Sequence, residues 1–110
     1  MTHIIEIRSY NLKPGTRHEF QRLFLEEASP LLKRWQVDVV AHGASLHDEN
    51  TYYLMRRFDS LAHREESEAT FYGSDEWRKG PRESILALIE NYTEIVFEAD
   101  EATVQGLRKP

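Results

Sequence analysis

V-D-V-V-A-H-G-A-S-L (residues 37–46), H-D-E-N (47–50) and T-Y-Y-L-M-R-R-F (51–58) form the stretch on which the fold turns. Two runs rich in β-branched and aromatic residues flank a polar four-residue tip, the pattern of a β-hairpin. Side chains alternate along a strand, so Tyr52, Leu54, Arg56 and Phe58 share one face, while Tyr53, Met55 and Arg57 share the other. Val39, Val40, Tyr52, Tyr53, Leu54 and Met55 make both faces of this hairpin more apolar than a solvent face needs. A bare apolar face usually meets a partner. The simplest partner is a second copy related by a two-fold axis, which predicts a homodimer.

Upstream of the hairpin, residues 3–11 (HIIEIRSYN) alternate as a strand, with Ile5, Ile7 and Ser9 opposite Glu6, Arg8 and Tyr10. Lys13-Pro14-Gly15 reads as a turn. Thr16 stands three residues before Glu19, the spacing of a reciprocal capping box. Phe20, Leu23, Phe24, Leu31 and Trp35 then follow at helical spacing, and Ser29-Pro30 predicts a kink or a restarted helix. Downstream, Ser60 is placed to cap a helix over 61–72 whose apolar face is thin. Gly73-Ser74-Asp75 breaks that helix, and Trp77 opens a short irregular link. After Gly80-Pro81, Ile85, Leu88, Ile89 and Tyr92 predict a third helical stretch, and residues 93–98 (TEIVFE) alternate as the last strand. From Ala99 the chain is polar and unpatterned, so the reading is one domain over 1–98 and a tail over 99–110, mobile unless a partner orders it.

Strand, helix, hairpin, helix, strand is the β-α-β-β-α-β order of the ferredoxin-like α+β class. Right-handed crossovers put the first and third strands in the centre of an antiparallel sheet, in the order 4-1-3-2, with helices on one face. The 110-residue length suits one domain, and no internal repeat is present. Nineteen acidic against 14 basic side chains give a formal net charge of −5. That balance excludes the basic stripe that nucleic acid requires and disfavours an anionic membrane surface. With no cysteine, there is no disulfide, thiolate nucleophile or cysteine-ligated metal. No run approaches the roughly 20 apolar residues of a membrane span, and a cytoplasmic location is the expectation.

Four segments are similar to the NIPSNAP family, within the dimeric α/β-barrel group. They are E-I-R-S-Y-N-L-K-P-G (6–15), G-A-S-L-H-D (43–48), Y-Y-L-M-R-R-F-D-S-L-A-H-R-E (52–65) and F-Y-G-S-D-E-W-R-K-G-P-R-E-S-I-L (71–86). The resemblance spans about residues 4–98, and F-Y-G-S-D-E-W with G-P-R-E is its most specific part. It implies a dimer whose two sheets close into a barrel with the helices outside. It implies no single activity, since related barrels include cofactor-free monooxygenases, small-ring isomerases, haem-degrading enzymes and proteins without known chemistry. Family members often carry Trp on the third strand where this chain has Arg56, so their pocket need not be this one.

Several side chains are candidates for chemistry. Glu6, Arg8 and Tyr10 on a central strand form either a polar pocket inside the barrel or a polar seam at the dimer interface. His42, on the hairpin, and Tyr10 are the candidate proton-handling groups. His47 and Asp48 are neighbours in a turn, where Asp48 suits an Asx-type bond to the loop backbone. The spacing of His42, His47 and Asp48 matches no standard metal motif, so no metal and no cofactor is expected. Arg56 is the preferred ligand contact, on the face of Tyr52, with Glu6 or Glu94 as protein acceptors; an inter-subunit salt bridge is the other reading. Trp77 and Arg82 belong either to a lid over a ligand or to a turn in which Ser74 or Asp75 caps the next helix. The expected ligand set is therefore Arg8, Arg56, Tyr52, Trp77 and Arg82. The functional expectation is a homodimeric, cofactor-independent enzyme acting on a small aromatic or carboxylated molecule. A non-catalytic dimer that binds a small ligand or another protein is the alternative.

Overall fold

The computed structural model describes residues 2–108. The elements are β1 (Thr2–Leu12), α1 (Arg17–Leu23), a π-helical turn (Phe24–Ala28), α2 (Ser29–Arg34), β2 (Asp38–Ala44), β3 (Thr51–Phe58), α3 (Leu61–Tyr72), α4 (Asp75–Lys79), α5 (Arg82–Leu86), β4 (Ile89–Asp100) and α6 (Glu101–Leu107). The four strands form one antiparallel sheet in the order β2-β3-β1-β4, the expected order read from the other edge. Helices α1–α5 cover one face, where Phe20, Phe24, Leu32, Tyr52, Leu54, Phe71 and Trp77 form the main core.

Local chemistry departs from the sequence reading at four places. The Thr16 hydroxyl donates to the Lys13 carbonyl at 2.7 Å and caps nothing, while Glu19 pairs with Arg22 instead of reaching back. Ser29 is itself helical, and its N–H reaches back five residues to the Phe24 carbonyl. Pro30 has no N–H for the ordinary bond to Glu26, and the wider π turn lets α1 run into α2 around that gap. The third helical stretch stops at Leu86, and β4 starts at Ile89. Tyr92 therefore sits on a strand opposite Tyr10. Pairing with an 11-residue central strand outweighs a helical spacing of four residues.

The fourth departure is the C-terminal tail. The Asp100 side chain accepts the Thr103 N–H at 2.8 Å and starts α6. Val104 is 0% exposed and packs with Ile5, Val40 and Met55 on the face opposite α1–α5. Arg108 clasps Asp38 through two 2.8 Å hydrogen bonds, and His3 pairs with Glu101. A bulge between Val39 and Ala41 turns Val40 toward this second cluster. Beyond α6 the second face remains open around Ile95, which is 60% exposed, and the partly exposed Phe97, opposite Ile7 and Ile5 on β1. No helix among the described residues is long and apolar enough to cross a membrane.

Candidate functional site

The site is built where two polar stripes meet. Glu6, Arg8 and Tyr10 alternate along β1 and face the helices. Arg64, Glu68 and Tyr72 recur every four residues along α3, one face of a helix, and descend onto that row. Arg56 joins from β3, opposite Glu6, and Glu94 from β4, opposite Arg8.

Three arginines thereby meet three glutamates. Arg56 is 1% exposed and holds the fully buried Glu6 through Nε at 3.0 Å and through Nη2. Arg64 reaches the other Glu6 oxygen at 2.6 Å and Glu94 at 3.1 Å. Arg8 touches Glu94 at 3.1 Å, Glu68 at 3.3 Å and Glu6 at 3.4 Å. A buried charge without such partners would cost several kcal/mol, and among the described residues no buried side-chain polar atom lacks a hydrogen-bond partner.

The two carboxyls in contact titrate as a pair. Burial pushes Glu6 upward, but its hydrogen bond to Glu68 and the charge of Arg56 outweigh that and bring it to about 2. Burial, with the hydrogen bond to Glu6 added, pushes Glu68 up to about 7.

Arg8 carries this network to the wall of a cavity of about 370 Å³ between the sheet and α3–α5. Its guanidinium carbon lies 5.3 Å from the ring centre of Tyr72 and 5.0 Å from that of Tyr92, so it is gripped between two aromatic faces. Trp77, Ile85, Leu86 and Ile89 supply apolar wall, and Tyr10 closes the sheet side. Burial pushes the Tyr10 phenol up to about 12, so it stays protonated near neutrality. The Tyr72 hydroxyl accepts from Arg56 Nη1 at 2.8 Å and from Arg8 Nη1 at 3.1 Å. With both lone pairs used, its own hydrogen is left to donate, and no acceptor for it occurs among the described residues. Arg82, the first residue of α5, makes no ion pair or hydrogen bond among the described residues and stands at the cavity exposed.

The local sequence explains how these walls are held. The Ser74 hydroxyl accepts the Trp77 N–H at 3.2 Å and caps α4, which seats the indole against Phe71 and Tyr72. Gly80 turns the chain into α5 where a Cβ would come 2.3 Å from the Glu76 carbonyl oxygen.

Of the predicted residues, Arg8, Tyr10, Trp77 and Arg82 share this cavity. Arg56 lies behind it and touches its lining directly at Tyr72. His42 and Tyr52 lie apart, toward the β2 edge, where the Tyr52 hydroxyl is 2.7 Å from His42 Nδ1 and Phe24 packs on the imidazole. Burial pushes Tyr52 up to about 12, so its phenol stays protonated near neutrality. His42 and Tyr10 therefore do not meet in one site. Glu6, Arg8 and Tyr10 lie under the chain's own helices, against α3 and the cavity wall. Asp48 makes the expected Asx bond, accepting the Asn50 N–H at 2.8 Å, while His47 pairs with Ser45. Among the described residues no three His, Asp or Glu side chains converge as a metal would require. Arg64, Glu68 and Tyr92 were not foreseen as site residues, although the four-residue repeat Arg64, Glu68, Tyr72 on α3 was a visible signal for the first two.

Fold and site together define a ferredoxin-like α+β domain with an aromatic, arginine-walled cavity beneath its helices. The sequence profile of the NIPSNAP family matches residues 5–97, and the chain belongs to that family. Among solved structures, it is similar to a NIPSNAP family protein of unknown function from Agrobacterium tumefaciens, at 23% identity and a TM-score of 0.81 over 88% of this chain and 87% of that one. A NIPSNAP-like domain protein from Burkholderia xenovorans superposes with a TM-score of 0.82 at 19% identity, covering 90% of this chain and 86% of the other. A putative antibiotic biosynthesis monooxygenase from Nitrosomonas europaea gives a TM-score of 0.65 at 9% identity, over 86% and 95%. At these identities the likeness is one of fold. No curated protein matches the sequence.

Proposed function

We propose that this chain binds a small aromatic or carboxylated molecule in the cavity between sheet and helices, and does so as a homodimer. The observation that carries the reading is the grip on Arg8 between Tyr72 and Tyr92, with the unpaired Arg82 at the same cavity of about 370 Å³. That volume is at the small end of ligand sites and suits one or two rings. Aromatic walls favour a planar body, and two guanidiniums favour an anionic end. The open strip of Ile7, Ile95 and Phe97 supports pairing of two sheets beyond the part that α6 covers.

A second reading, cofactor-independent catalysis on the bound molecule, is favoured by the Tyr72 hydroxyl. Two guanidiniums polarise its O–H, which is a suitable donor to an oxygen that gains charge during reaction.

Isothermal titration with benzoate tests the binding reading. The expected result is one site per chain and at least tenfold weaker binding in Arg82→Ala, the loss of one charge-assisted hydrogen bond. No binding of benzoate, phenylacetate or indole-3-carboxylate would overturn it, and so would affinity indifferent to Arg82. Native mass spectrometry is expected to give twice the 13.0 kDa chain mass. A monomer at micromolar concentration removes the dimer.

A further inference from the structure

We infer that an organic acid bound on Arg8 displaces Glu68 electrostatically, so that the cavity takes up the acid together with a proton. This rests on the ligand-binding reading above and names the class of ligand more narrowly.

Arg8, Arg56 and Arg64 face Glu6, Glu68 and Glu94, and the cluster is neutral when all six are ionised. Arg8 is the guanidinium common to the cluster and the cavity wall. Arg8 already faces all three carboxylates at 3.1 to 3.4 Å, so an anion that settles on it becomes the fourth on one guanidinium, while Arg82, exposed at the same cavity, touches none of the three. Crowding four carboxylates on one guanidinium is costly, and the cost falls when one of them takes a proton.

The distances identify which one. Glu6 is 0% exposed and held at 2.6 and 3.0 Å. Glu94 has both oxygens engaged at 3.1 Å. Glu68 has the loosest set, 3.3 Å to Arg8, 3.3 Å to Arg56 and 3.5 Å to Arg64, with 17% of its side chain exposed. The charged and titratable groups around it are Glu6 and Arg8 from β1, Arg56 from β3, Arg64 and Tyr72 from its own helix, and Glu94 from β4. Once protonated, it can donate to the neighbouring Glu6 carboxylate. Burial and Glu6 already push it up to about 7, so the proton is close at hand near neutrality. With Glu68 neutral the six-residue cluster carries +1, which the anion on Arg8 balances.

The test is isothermal titration of benzoate at pH 8 in buffers of different ionisation enthalpy, which counts protons exchanged on binding. Uptake approaching one proton per benzoate is expected at pH 8, falling toward zero at pH 5.5. Glu68→Gln is expected to bind benzoate without uptake at either pH. Benzoate binding at pH 8 with no proton taken up overturns this inference and leaves the ligand-binding reading intact. Uptake that persists in Glu68→Gln also overturns it. If benzoate, phenylacetate and indole-3-carboxylate all fail to bind, both readings fall. The wild-type comparison between the two pH values stands even if the variant does not fold.

Discussion

Val104→Ala tests whether the last helix is part of the domain. Val104 is fully buried against Ile5, Val40 and Met55, and the substitution removes two methyl-sized groups. At about 0.8 kcal/mol per buried group the transfer term is roughly 1.6 kcal/mol. Incomplete collapse of the space left behind brings the expected loss to about 2 kcal/mol. The polar ties cannot replace this anchor, because the Asp38–Arg108 pair is about one-third exposed at each end and such pairs contribute only about 0.5–1 kcal/mol. Nor does α6 hold itself together, since seven residues are far too few for a stable helix in water. Urea denaturation by far-UV circular dichroism measures the loss, and hydrogen exchange at Thr103–Leu107 reports docking directly. Wild-type amides there are expected to be protected and the variant's to exchange faster. Free exchange in the wild type would refute the docking. A variant within about 0.3 kcal/mol of wild type with unchanged protection would refute the assignment of Val104 as anchor.

The Glu6–Glu68 pair gives stability a pH dependence with opposed arms. Glu68, raised to about 7, contributes stability fully present below its ordinary 4.5 and lost as pH rises through 7. Glu6, lowered to about 2, contributes stability present above 4.5 and lost as pH falls through 2. Urea midpoints are therefore expected to rise from pH 8 toward pH 5, by at most about 1.4 kcal/mol per pH unit for one proton, and to fall below pH 4.5. Glu68→Gln is expected to flatten the neutral arm alone; a wild type equally stable at pH 5 and pH 8 contradicts the pairing. Arg56→Met withdraws the closest partner of a fully buried carboxylate, and about 3 kcal/mol or more is expected to be lost at pH 8. The loss is expected to shrink at pH 5, where Glu68 carries a proton and Glu6 has fewer negative neighbours. A loss below about 1 kcal/mol at pH 8 would mean that the network does not bear on stability.

The sequence by itself determined the strand alternation, the hairpin, the element order and the sheet order that follows from right-handed crossovers. These are local periodicities and chain-connection rules, and they need no knowledge of distant neighbours. It also determined which residues share a face, so Glu6, Arg8 and Tyr10 were grouped correctly, as were Tyr52 and Arg56. What alternation cannot say is which face the helices cover. The polar row on β1 read as either a pocket inside a barrel or a seam between copies, because alternation does not name the partners of a polar stripe. It is buried because α3 sets Arg64, Glu68 and Tyr72 against it, and that compensation exists only once the helix has packed. The tail was unreadable for a related reason. A helix held by one valine, one cap, one ion pair and one hydrogen bond to His3 has no periodicity to detect, and its tertiary partners lie about 50 to 100 residues away in the chain. His42 and Tyr10 were joined as chemical types, but strand order places β3 between β2, which carries His42, and β1, which carries Tyr10, and keeps the two apart. Residue types and spacing can be read along one dimension; which charges neutralise one another, and around what space, is settled only when four strands and a helix bring them together.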